Sequence, residues 1–257
     1  KIYSNEWSLK QNNYFSKVDK NFNMNDNKKN ILIIGNSHGQ DFFNILDLNK
    51  KYYEEFEILY SDTRGGQDLL NFFKNSNYCE KFSKNTFPLI AEYSDKNNQK
   101  ICDAETLIIS NRYNPWDISK LNEIIEISNK IKKDLILVLI KPHFSTYGEL
   151  TIIDKFILKK NRFPTNDEIE ILEKRYFHSQ INNKFINDMN SKIKEISNKK
   201  NIKIFNLNDL MCDNENKKCI ILTDKKNKIV YDSSHFSLSG AKFLGKKVFE
   251  TDLFNNN

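Results

Sequence analysis

The sequence is poor in glycine, proline and cysteine, with 7, 4 and 4 among 257 residues. That scarcity excludes a collagenous or low-complexity chain. Long hydrophobic runs are also missing. The longest, Leu135–Ile140, is six residues, whereas a helix crossing a bilayer needs about 20. No membrane span is expected within the chain. Neither an initiator methionine nor a signal-like stretch stands at Lys1. The chain is therefore expected to be an excised domain or processed product, with its targeting not directly readable. No C-x-x-C pair is present, and the spacing of the four cysteines to the four histidines matches no zinc ribbon or finger. No metal or cofactor is expected. Basic residues outnumber acidic ones by 40 to 34, but they are spread among the acids. No basic stripe with interleaved aromatics signals nucleic acid, and none is expected as a partner. A basic balance also suits an anionic envelope polymer.

What the sequence does contain is a series of short continuous apolar runs. Ile31–Ile34, Phe56–Tyr60, Thr106–Ser110, Leu135–Ile140 and Ile202–Asn206 suit strands buried on both faces. Helical patterns lie between them. Asp41–Leu48 fits a short helix. Ile118–Lys132 places apolar residues at 118, 121, 124, 125 and 131, with Asp117 as the expected N-cap. Asn166–Lys200 reads as one long helical stretch. Ile220–Thr223 and Lys228–Tyr231 suggest a hairpin around Asp224–Asn227, and a last helix is expected over Leu238–Phe249, capped by Ser237. Strands alternating with helices imply parallel strands joined by crossovers, hence a three-layer α/β/α sandwich. Residues 1–30, polar with scattered aromatics, are expected to form an arm packed on a domain spanning 31–257.

The cysteines leave two readings open. Cys212 and Cys219 bracket a polar turn, Asp213–Lys218, which suits a disulfide. Cys79 would then pair with Cys102 in an oxidising compartment. The alternative is four buried thiols in a reducing one.

Two segments carry chemistry. Gly35-Asn36-Ser37-His38-Gly39-Gln40 follows the first strand and precedes the first helix. Ligands of open α/β sheets bind at such carboxyl ends, and helix N-terminal amides hold anions there. The glycines are expected to permit a tight turn. The segment is neither a G-x-S-x-G elbow nor a P-loop. A serine needs a base. Asp232 and His235, three apart before the last helix, supply an imidazole with a carboxylate to orient it. His143 ends the fourth strand and is a further candidate for the cleft. His178 reads as an ordinary helix-surface residue.

Together these blocks resemble the SGNH-type hydrolase superfamily, also called GDSL esterases and lipases. Gly35-Asn36-Ser37 is similar to its Gly-Asp-Ser block and Asp232-x-x-His235 to its Asp-x-x-His block. More narrowly, the chain resembles the SGNH domains fused to membrane acyltransferase-3 proteins, which act as polysaccharide O-acetyltransferases. His38, the Cys212/Cys219 pair and the His235-x-Ser237-x-x-Gly240-Ala241 run carry that resemblance. It spans about Ile31–Val248. It implies a flavodoxin-like, five-stranded parallel sheet and a Ser37–His235–Asp232 triad. It also implies an oxyanion hole formed by Ser37, Gly66 (in Arg64-Gly65-Gly66-Gln67) and Asn111. Gly-x-Asn-Asp, usual in the third block, is absent; Ser110-Asn111-Arg112-Tyr113 stands there instead, with Arg112 as an alternative donor. Asn36 replaces the usual Asp and is expected to keep a supporting hydrogen bond. Asn36, His38, Arg112 and His143 are the expected site-lining residues.

The implied activity is acyl (acetyl) transfer to or from hydroxyls of an envelope or secreted carbohydrate. The implied partners are a carbohydrate acceptor, an acyl donor and a fused or associated membrane acyltransferase-3 domain. The implied location is periplasmic or otherwise extracytoplasmic, tethered to the inner membrane. A stand-alone carbohydrate O-acetylesterase and a non-catalytic glycan-binding module are the alternatives.

Overall fold

A computed structural model of the chain describes residues 20–63, 69–74, 79, 94–143, 150–181 and 183–254. Five parallel strands form its central sheet: β1 (Lys29–Gly35), β2 (Phe56–Asp62), β3 (Thr106–Ser110), β4 (Asp134–Val138) and β5 (Lys203–Phe205). Their spatial order is β2-β1-β3-β4-β5, the flavodoxin-like arrangement. Each apolar run lies within one of these strands or extends just past its end.

Period-two alternation divides every run between two cores. Ile31, Ile33, Tyr60, Ile108, Ile136 and Val138 face one; Leu32, Ile34, Leu59, Leu107, Ile109, Leu135 and Leu137 face the other. The first core is covered by α1 (Ser37–Asp47), α6 (Asn166–Ile181) and α9 (Leu238–Phe249). The second is covered by α2 (Leu69–Lys74), α4 (Pro115–Lys130) and α7 (Lys184–Lys200). Three layers follow. The remaining α-helices are α3 (Ser94–Asp103), α5 (Ile152–Lys160) and α8 (Asn208–Met211); β6 (Cys212–Asp213) and β7 (Lys218–Cys219) form a small antiparallel ladder.

Helix boundaries depart from expectation where side chains cap them. Helix α1 begins four residues earlier than Asp41, because the Asn36 side chain accepts from the His38 amide. Helix α4 starts at Pro115 under an Asn114 cap, and Asp117 closes the capping box from the third helical position. The stretch 166–200 is two helices, the second capped by Asn183 on the Ile186 amide. The expected hairpin reduces to an isolated Leu222–Lys228 bridge closed by Thr223 N–H on the Asn227 carbonyl. Helix α9 has the expected bounds and the Ser237 cap. Helix α5, which the apolar pattern did not reveal, carries a Thr151/Asp154 capping box.

Of the expected N-terminal arm, residues 1–19 lie outside the described residues. Phe22 is buried in the second core, and the Asn23 amide donates to Glu57 at 2.7 Å. Disulfides join Cys79 to Cys102 and Cys212 to Cys219. Among the described residues no helix is long and apolar enough to cross a membrane.

Candidate active site

The chain leaves β1 outward to β2 and returns on the other side to β3, so a crevice opens beyond the carboxyl ends of β1 and β3. Ser37 stands there as the first residue of α1, partly exposed. Its amide is among the first of the helix and has no intrahelical acceptor. The turn that carries it is fixed from three sides. Asn36 Oδ1 accepts from the His38 amide at 3.0 Å and from the Arg112 amide at 3.3 Å. The Tyr60 hydroxyl donates to the Gly35 and Asn36 carbonyls at 2.7 and 2.8 Å. Ser110 Oγ donates to the His38 carbonyl at 3.3 Å. Gly35 serves close approach and not a left-handed turn: a Cβ there would lie 1.9 Å from the Ser110 carbonyl oxygen, and one at Gly39 2.9 Å from the same atom. The two strand ends therefore touch, which brings Asn111 and Arg112 beside the serine turn.

The loop before α9 supplies the other half. Asp232 Oδ1 accepts from the amides of Ser234 and His235, both at 2.8 Å. Its Oδ2 lies 2.8 Å from His235 Nδ1. A proton on Nδ1 satisfies that contact, which leaves Nε2 as the proton-accepting nitrogen of a neutral imidazole. Nε2 is buried and has no hydrogen-bond partner among the described residues, the Ser37 hydroxyl included. The Tyr231 ring stacks on His235, with centroids 5.8 Å apart. Burial works to raise the Asp232 carboxyl; the hydrogen bonds from His235 and Ser234 outweigh it and hold the group below the ordinary carboxylate value. The loop is anchored where α9 begins. Ser237 Oγ accepts from the Gly240 amide at 2.9 Å, and a Cβ at Gly240 would stand 2.0 Å from the Ile229 carbonyl oxygen.

His38 and His143 surround this pair. The His38 ring centroid lies 6.4 Å from those of both His143 and His235. Burial, then the Lys141 cation, pushes the His38 imidazole well below its ordinary value. Burial, then the Arg112 guanidinium, brings His143 down to about 4. Both rings are neutral at pH 7. Asn111 is buried, with Oδ1 unpartnered among the described residues; Arg112 is exposed. His178 is exposed on α6. Gly66 lies outside the described residues.

Sequence reasoning passed over Asp41 and Lys141. Their side chains form an ion pair with each only 2% exposed. Asp41 Oδ2 also accepts from the Phe236 amide at 3.3 Å. The available signal was spacing: Asp41 lies four residues after Ser37, on the same face of α1.

The fold is an α/β sandwich with a serine at the sheet's switch point and, on the loop before the last helix, a histidine oriented by a carboxylate. The comparisons specify it. The chain matches the family described as "SGNH domain (fused to AT3 domains)" over residues 9–249, and it belongs to that family. The periplasmic domain of a lipopolysaccharide acetyltransferase from Salmonella ser. Paratyphi A is similar in fold, at 16% identity, covering 95% of each chain with a TM-score of 0.63. A GDSL-like lipase from Bacteroides thetaiotaomicron is 13% identical, covering 88% of this chain and 89% of that one, with a TM-score of 0.42. A search of curated proteins finds no match.

Proposed function

We propose that this domain transfers acyl groups, in the first instance acetyl, through an ester on Ser37. The observation that carries the reading is the Asp232–His235 contact, which turns an unpartnered, buried Nε2 into the base of the site. His235 takes the Ser37 proton as the hydroxyl attacks the acyl carbonyl. Asp232 stabilises the imidazolium that forms, and His235 returns the proton to the departing alcohol. A second hydroxyl then repeats the sequence in reverse. The Ser37–His235 hydrogen bond is made in the substrate complex, as apo sites of this kind often leave it long or open. The Ser37 amide, with Gly66 and Asn111, receives the developing oxyanion. Each such donor is worth about 3–4 kcal/mol of transition-state stabilisation.

Family membership and the acetyltransferase-like fold support a carbohydrate of the cell envelope as acceptor. Two disulfides support a location outside the reducing cytoplasm. The family's fusion to AT3 domains supports delivery of the acyl group by a membrane partner domain.

Hydrolysis of an aryl acetate tests the reading. Ser37→Ala and His235→Ala are each expected to lower turnover about 10³-fold or more while circular dichroism stays native. Turnover retained in Ser37→Ala overturns it, and a wild-type protein inert toward every activated ester favours the glycan-binding module. Adding carbohydrate hydroxyls separates transferase from esterase by the fate of the acetyl group.

A further inference from the structure

Beneath the proposed base lies a charge pair that the mechanism above does not use. Asp41, on α1, and Lys141, just past β4, form an ion pair with both side chains 2% exposed. Both touch one residue. Asp41 Oδ2 accepts from the Phe236 backbone amide at 3.3 Å. The Lys141 ammonium sits 4.5 Å from the centroid of the Phe236 ring, which is wholly buried. Phe236 directly follows His235.

A pair kept only for stability is poorly explained here. Replacing a buried ion pair by packed apolar side chains is often neutral or stabilising, because desolvation consumes the Coulombic gain. One feature that apolar residues do not reproduce is the acceptor for the Phe236 amide. That amide donates to Asp41, while its neighbour at 235 donates to Asp232. The His235 backbone is thus held between two carboxylates, one from its own loop and one from the helix that begins at Ser37. Because Ser37 and Asp41 share a face of α1, the Asp41 bond fixes the histidine loop to the same rigid element that presents the serine.

We infer that Asp41, held in place by its ion pair with Lys141, is a positioning residue that sets His235 relative to Ser37. The inference rests on the Ser37–His235 reading above. A misplacement of about 1 Å in such a site costs about 10²-fold in rate, so the contribution is expected in chemistry and not in binding.

Two double variants separate the roles. Both remove the charges. Asp41→Asn/Lys141→Met keeps a carbonyl oxygen to accept from the Phe236 amide. Asp41→Leu/Lys141→Met keeps the volume and loses the acceptor. The readout is covalent labelling by a fluorophosphonate: the Ser37 oxygen bonds to phosphorus, fluoride leaves, and His235 takes the proton. The leucine variant is expected to fold, shown by its melting transition, and to lose about 10²-fold in the maximal labelling rate with the half-saturating probe concentration unchanged. The asparagine variant is expected to recover most of the wild-type rate. Should the leucine variant not fold, Asp41→Ala/Lys141→Met removes the acceptor without adding bulk and carries the same expectation. Equal labelling rates in folded variants with and without the acceptor overturn the inference and leave the triad reading standing. Wild-type protein that is not labelled at Ser37 overturns both.

Discussion

At the scale of single residues, charge decides how the site responds to pH. His143 is held near 4 in the folded chain against an ordinary value of 6.5. Between those values the unfolded chain binds a proton at this position that the folded chain does not. Stability contributed here is therefore complete above about pH 6.5 and is lost as pH falls toward 4. His38 is shifted in the same direction and adds to the loss. Melting curves recorded from about pH 7 down to about pH 4.5 are expected to fall, and His143→Gln is expected to flatten that fall. Asp232, a carboxyl held below its ordinary value, acts lower still; its stabilisation persists above the ordinary carboxylate range and disappears as pH drops through the folded value. Asp232→Asn retains a side chain of the same shape. It is expected to cost about 10⁴-fold in turnover, because the amide selects the wrong imidazole tautomer, with a lower melting temperature at neutral pH but a native fold, since the amide oxygen still accepts the Ser234 and His235 amides. An equal loss of turnover and of native structure would instead make Asp232 a loop staple.

At the scale of elements, the first helix is the component that the site depends on most. Asn36→Ala removes its N-cap and is expected to destabilise the fold by about 1 kcal/mol, with a further loss from the Arg112 amide left without its acceptor. Gly35→Ala forces a Cβ onto the Ser110 carbonyl. It is expected to cost about 3 kcal/mol in urea unfolding and to separate the ends of β1 and β3. Native stability in Gly35→Ala would contradict the close-approach account. The strands were legible because a short continuous apolar run needs cover on both faces, and its alternation with helical patterns made the covered sheet a parallel one. The helix starts were less legible. An asparagine such as Asn36, Asn114 or Asn183 is ambiguous between loop and cap until its side chain is seen to accept a helical amide. Helix α5 escaped because only Ile153 of its nine residues is fully buried, so it shows no clear apolar stripe, although Thr151 and Asp154 spelled its start.

At the scale of the whole molecule, the chain brings its two ends together over one sheet. Ser37 and His235 belong to segments nearly two hundred residues apart. The spacing within each block was readable from the residues, and the meeting of the blocks was expected from the need of a serine for a base and from the family resemblance. The structure brings the two segments within reach, with the His38 and His235 ring centroids 6.4 Å apart. The Asp41–Lys141 pair shows the limit plainly. A lysine after β4 and an aspartate in α1 are ordinary in a sequence of 74 charged residues; the spacing of Asp41 from Ser37 is a weak cue for one of them, and their shared burial is what singles out the pair. The disulfides act at this scale too. Cys212–Cys219 closes a short loop just ahead of the Ile220–Tyr231 stretch that leads into the histidine loop. Replacing both cysteines by alanine is expected to lower stability by about 2–3 kcal/mol in denaturant titrations, and the same shift is expected when that bridge is reduced in the folded protein.

The central claim is that one imidazole, oriented by one carboxylate, activates one serine. Mass spectrometry of the protein quenched during turnover of an activated acetyl ester tests it most directly. The account predicts an acetyl group on the peptide containing Ser37 in the wild type, and none in His235→Ala. An acetyl group carried elsewhere, or carried equally on Ser37 when His235 is absent, would contradict it.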